Sequence, residues 1–251
     1  MNKLKQFAQS FGISRVACLC LLALLVGLRI WDPPPVQSLR ARTFDFYQVL
    51  KPRDASLRPA VIVDIDEASL AAFGQWPWPR TLLADLVTKL TNLGSAAIAF
   101  DIIFAEPDRM SPAVAAQSFR NLDPQARDQL QRMPSNDEIF ARAIRQSQRV
   151  ILGESGFHMP STSAAPQPPA VGVAVIGPDP DRYIMTFPGL VRNLPELEQA
   201  AAGRGMLTIR AEPDGIVRKV PMVTKAQGTV VPALTLEMLR VVTGAKAMMI
   251  K

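Results

Sequence analysis

The chain has 251 residues, 48% apolar and 20% charged, with 22 prolines and 14 glycines. That balance excludes a disordered polyampholyte and a collagen-like fibre, so the chain folds. Its 28 basic and 22 acidic side chains leave a net charge of +6, but the excess is N-terminal: residues 1–58 hold nine Lys/Arg against three acids, and residues 59–251 hold nineteen of each. A body with no net charge has no global field to attract a polyanion, so no nucleic-acid partner is expected.

Lys3, Lys5 and Arg15 precede an uncharged run over residues 16–28, which Arg29 closes before Trp31 and the breaker Asp32-Pro33-Pro34-Pro35. The run alone is short for a bilayer. A helix over residues 11–31, however, spans about 31 Å, with both arginines near its ends where long side chains reach the interface. No small-x-small cleavage site follows, so the segment reads as an uncleaved signal anchor that contacts membrane lipid, with a cytoplasmic tail over residues 1–10 and the remainder extracytoplasmic. Cys18 and Cys20, the only cysteines, lie inside the span as small apolar residues; no disulfide or zinc framework is available to the rest.

Residues 32–58 are expected to form a juxtamembrane region, an amphipathic helix from residue 36 carrying Leu39, Phe44 and Val49 on one side, then a linker. The body, residues 59–251, opens with a β-branched run, 61–65, expected to be a buried strand. Asp66 is placed to cap a turn over 67–73 that Gly74 ends. Two prolines keep residues 75–80 out of helix and central strand. A helix over 81–93 and a strand over 96–103 follow, giving a βαβ unit with parallel strands. Residues 104–134 read as an excursion with short helical pieces at 114–119 and 126–131. Ser135 and Glu138 form a capping-box signature for a helix over 136–148, and 150–153 a third strand. Proline-rich residues 160–180 read as a loop, with an edge strand at 171–176. Asp214-Gly215 marks a hairpin between 205–210 and 216–223, and a last helix runs from 232 to 242 before Gly244. The pattern gives an α/β fold: one domain and one core, a mixed, partly parallel sheet flanked by helices, preceded by one N-terminal transmembrane helix.

Asp64, Asp66 and Glu67 lie at the carboxyl end of the first expected strand and Asp101 at that of the second, where open parallel sheets bind ligands. Clustered oxygens suit a hard cation, a carboxylate pair suits acid/base work, and the crevice suits a small ligand or a partner. Beside these stand purely structural roles: Asp66 as a cap, Arg80 paired with a carboxylate, Asp101 closing a strand. Trp76 and Trp78 flank Pro77 in a rigid aromatic turn that caps the sheet edge or packs over the crevice. His158 is the single histidine and stands beside a loop, a poor basis for a nucleophile–histidine triad. No phosphate loop, paired-cysteine motif or kinase signature is present. No cofactor is expected.

The strings Val61-Ile62-Val63-Asp64-Ile65-Asp66-Glu67-Ala68-Ser69-Leu70, Gly74-Gln75-Trp76-Pro77-Trp78-Pro79-Arg80 and Ala97-Ile98-Ala99-Phe100-Asp101-Ile102-Ile103-Phe104 resemble the second type of CHASE sensory domain of bacterial transmembrane receptors. Arg42-Thr43-Phe44-Asp45 and residues 205–223, with Asp214, Gly215, Arg218 and Pro221, carry the same resemblance. It implies an extracytoplasmic domain that reads a small-molecule or protein signal, sits in the inner membrane through its anchor, works as a homodimer, and regulates a cytoplasmic adenylate or guanylate cyclase or a kinase. Such an output module, with further membrane spans, is expected beyond Lys251; no catalytic residue is assigned here. The ligand candidates are Asp64, Asp66, Glu67, Trp76, Trp78, Arg80 and Asp101. A membrane-anchored periplasmic enzyme using the carboxylate crevice, and an envelope scaffold, are the alternatives.

Overall fold

The computed structural model describes residues 13–54, 60–160 and 171–251, and the chain divides into two compact units, Met1–Asp64 and Ile65–Lys251. In the first, helix α1 (Ile13–Trp31) is followed by α2 (Pro34–Leu50). The prolines that stop α1 also start α2. Pro34 and Pro35 occupy its first turn, where their missing N–H groups would have had no partner anyway, so α2 begins two residues earlier than expected. Asp32 between the helices has a positive φ of 45°. Its carboxylate accepts two bonds from Arg40, at 3.0 and 2.9 Å, and its carbonyl accepts one from the Gln37 side chain at 2.7 Å.

Helix α1 lies where one transmembrane helix was expected. Among the described residues no single helix is long and apolar enough to cross a membrane; Arg15–Trp31 and Pro34–Leu50 pass that test only together, bent by 88°.

Residues 61–65 form no strand, a correction to the expected buried strand. Val61, Ile62 and Val63 are exposed and no described strand pairs with them; β-branched composition favours a strand only where a pleated neighbour packs against it. The parallel pair joined by a helix occurs later in the chain.

The second unit begins with α3 (Glu67–Phe73), capped by Asp66 and ended at Gly74, whose φ of +92° glycine adopts without strain. Helix α4 (Arg80–Asn92) buries Leu83, Ala84 and Val87. Strand β1 (Ile98–Phe100) is only three residues long. Short helices α5 (Pro112–Ser118) and α6 (Pro124–Arg132) form the excursion. In α7 (Asn136–Ser147) the capping box is complete: Ser135 accepts from the Glu138 amide and Glu138 from the Ser135 amide. Strand β2 (Val150–Phe157) runs four residues past its expected end. Then follow β3 (Gly172–Val175), β4 (Met185–Phe187), β5 (Gly189–Val191), α8 (Pro195–Ala200), β6 (Gly203–Met206), β7 (Val223–Ala226), β8 (Thr229–Pro232), α9 (Leu234–Thr243) and β9 (Ala247–Ile250).

The main sheet is parallel at its centre. β2 pairs β1 in the register Ile98↔Val150 and β6 in the register Ile151↔Gly203, while its tail pairs β5 antiparallel. Helices α7 and α8, which pack against each other, lie in the two crossovers, α9 packs against β6, β2 and β1, and β2 is buried from Val150 to Glu154. The core gathers Leu83 and Val87, Ile98 and Phe100, Phe140 and Ile144, Val150 and Leu152, and Leu197 around Phe104. Rings of Phe100, Phe104 and Phe140 meet edge to face at 5.3–5.7 Å. One core was expected; a second, smaller one of Phe187, Met206, Ala226 and Val231 packs under the sheet β4-β7-β8. β3 and β9 form a separate parallel pair.

The tightest hairpin of this unit is β7-β8, turning at Gln227-Gly228 with φ of 48° and 81°. At Asp214-Gly215 the turn forms, with Glu212 and Ile216 bonded across it, but the expected flanking ladder does not.

Candidate functional site

The sequence candidates fall into two groups. Asp64 is exposed in the segment before α3, and Asp101 is exposed just after β1. Asp66 is held by its own helix: its Oδ1 accepts from the amide and hydroxyl of Ser69 at 2.8 and 2.7 Å, and these bonds lower its pKa. Glu67 is exposed in the first turn of α3. Among the described residues no group of three histidine, cysteine or acidic side chains is arranged to hold a metal ion.

The aromatic turn, by contrast, is anchored inward. Trp78 is buried and donates its indole N–H to the Gly74 carbonyl at 2.7 Å, while Phe73 meets it edge-on at 5.6 Å. Trp76 meets Trp78 at 6.0 Å but keeps 38% of its surface in solvent. It is the indole of this turn that a ligand can reach. The Trp76-Pro77 bond is cis.

Arg80 then enters α4 and turns into the core. Its guanidinium stacks 4.4 Å above the Phe104 ring and its Nε stands 3.5 Å from Oδ1 of Asp137, in the first turn of α7. Neither of those two atoms has a hydrogen-bond partner, so the pair is held by charge rather than by a shaped bond. Asp108 closes the arrangement. Its Oδ2 accepts from the Arg80 amide and from Asn136 Nδ2, both at 2.8 Å, its Oδ1 from the Met110 amide at 2.8 Å, and its own amide donates to Asp137 Oδ2 at 2.9 Å. The first amide of α4 is thereby capped by Asp108, where the helix dipole favours negative charge, while the Asn136 amide that opens α7 donates to Ser111 Oγ at 3.0 Å. Burial nevertheless raises the pKa of Asp137, opposed by the Asp108 amide and by Arg80. Arg80 does pair with a carboxylate, but one that lies 57 positions away in sequence.

Sequence reasoning missed a second buried polar centre around β2 and β6. Asn193 accepts from the Phe104 amide at 2.8 Å and donates to the Gly153 carbonyl at 2.9 Å, tying the chain after β1 to β2. Glu198 of α8 accepts from Arg192 at 2.8 and 3.2 Å and from Arg204 at 2.6 Å. Glu237 of α9 is fully buried and clasped by Arg240 at 2.9 and 2.7 Å, against the bare Cα of Gly203. One signal was legible: Glu154 is the single acid in the otherwise apolar and small-residue run of β2.

His158 is exposed and its ring packs 5.3 Å from that of Phe187. What the two centres can do is hold α4, α7, α8 and α9 on the sheet in a charge-dependent arrangement. No curated protein and no solved structure matches the chain. A family model, that of the CHASE2 domain, matches residues 17–250.

Proposed function

Because the chain belongs to the CHASE2 domain family, a family of sensory domains, we propose that it is the extracytoplasmic input domain of a bacterial transmembrane receptor, anchored in the inner membrane through α1. The observation that carries this reading is the surface of α1: Leu19, Leu21, Leu22, Leu24 and Leu25 are each more than half exposed. Leucines on an unpartnered helix call for lipid or another helix around them. A body without cysteine suits an exported domain that matures without an oxidant. The domain reads a small-molecule or protein signal, works as a homodimer, and biases a cyclase or kinase output on the other side of the membrane. Transmission needs a ligand whose affinity differs between two states.

Alkaline phosphatase, which is active only outside the cytosol, and a fluorescent protein that folds only inside it are fused in turn after Gly244. Phosphatase activity without fluorescence is expected; the reverse pattern rejects the proposed topology and the receptor reading with it. Sedimentation of the full chain in detergent tests the dimer, and a monomer at all concentrations rejects it.

A further inference from the structure

Three buried side-chain atoms of the described residues lack a hydrogen-bond partner: Arg80 Nε, Asp137 Oδ1 and Glu154 Oε2. The first two face each other across 3.5 Å. Glu154 Oε2 has no such answer. Glu154 is only 4% exposed, in the middle of β2 opposite Met206 of β6. A carboxylate oxygen stripped of water and given no donor is strongly disfavoured, whereas the neutral acid loses far less on burial.

Its surroundings sharpen the point. The charged groups nearest Glu154 on the elements around β2 include Arg192 after β5, Glu198 of α8, Arg204 of β6, and Glu237 with Arg240 of α9; Glu196 of α8 is influenced instead by Asp137 and Glu138 of α7, and β1 contributes only Ile98, Ala99 and Phe100. Arg192 and Arg204 bond Glu198, and Arg240 bonds Glu237. Glu154 thus shares a buried site with two carboxylates that arginines already clasp. We propose that Glu154 is a proton-binding site and that acidification outside the membrane is a signal this domain reads. The proposal rests on the sensor reading above and names its ligand.

Burial is the largest influence on the Glu154 carboxyl, Arg192 opposes it and Glu237 adds to it, and the group is pushed up to about 7. A coupling to shape follows from Arg192. When Glu154 loses its proton to solvent, the new charge competes with Glu198 for that guanidinium, which now holds Glu198 through Nε and Nη2. Weakening that clasp loosens α8 against the end of β5. Proton uptake restores it.

The test uses the full chain in detergent, with infrared spectroscopy of the carboxylic-acid carbonyl and amide exchange of α8, corrected for intrinsic rates, between pH 6 and 8. Wild type is expected to lose one protonated-acid band with a midpoint near 7 and to lose α8 protection several-fold over the same range. In Glu154→Gln the band is absent and α8 protection is flat. Should that variant not fold, labelling wild type with carboxyl-13C glutamate still assigns the band to a glutamate. The proposal is overturned if every glutamate is ionised at pH 6, if the band survives in Glu154→Gln, or if α8 protection ignores pH. Any of these with an exported reporter rejects the proton while the sensor reading stands; an intact titration with a cytosolic reporter rejects the outside signal.

Discussion

Removing one charge of the Arg80–Asp137 pair should be far worse than removing both. At 3.5 Å and an effective dielectric of 20, two unit charges attract by about 5 kcal/mol. The side chains are only 10% and 3% exposed, so solvent screens little of this, and an abandoned partner has no water to turn to. Asp137→Asn keeps the acceptor for the Asp108 amide and deletes only charge; Arg80→Met keeps a polarisable chain over Phe104. Each single change is expected to cost about 3–5 kcal/mol, the double change much less than their sum, with a coupling energy of about 2–4 kcal/mol. Urea unfolding of the full chain in detergent, followed by the fluorescence of buried Trp78, gives all four corners of the cycle. A coupling energy below about 1 kcal/mol, the level of exposed pairs, would show that burial does not amplify this interaction and would refute the argument.

Other expectations concern the frame and the acid centre. Ser135→Ala removes half of the α7 capping box and should cost about 1 kcal/mol, read as a lower urea midpoint with unchanged slope. Gly205→Ala places a Cβ 2.5 Å from Leu234 Cα and 2.8 Å from its nitrogen; backbone cannot yield like a side-chain tip, so a loss of about 1–3 kcal/mol is expected, and a neutral result would mean that β6 and α9 are not locked together. For Glu154 the sign runs against the usual acid. The folded protein keeps this proton up to about pH 7, against 4.5 for an ordinary glutamate, so folding takes up a proton between those values. Stability from this group is therefore greatest below pH 4.5 and falls through pH 7 by up to about 3 kcal/mol, at 1.36 kcal/mol per unit. Glu154→Gln should flatten that slope in unfolding curves taken at pH 5 to 8.

Much of the second unit was legible because its signals are local. The capping box of α7, the apolar stripe of α4, Gly74 and Gly244 at helix ends, and the apolar start of β2 each depend on residues within a few positions. Where the sequence misled, the deciding partner was remote. Residues 61–65 have strand composition and no described ladder. β7-β8 turns at Gln-Gly, which lacks the short side chain that marks such turns. β9 is built from Met248 and Met249, residues with no strand preference, and exists by pairing with β3. At the site, Arg80 was found by its motif, but Asp137 reads in sequence as one more acid at a helix start, and its burial opposite Arg80 is created only by the fold. Asp108, Asn193 and Glu198 carry no local signature at all.

On the anchoring proposed for α1, its right angle to α2 would have a mechanical meaning. With 17 residues, α2 is a lever about 25 Å long, and Arg40 braces its base to Asp32 at the elbow. Twisting α1 by about 10° about its own axis would sweep the tip of such a lever through about 4 Å in the plane of the lipid surface. Vertical travel of α1 would lift the lever without sweeping it, so an elbow so anchored would tell rotation apart from piston stroke.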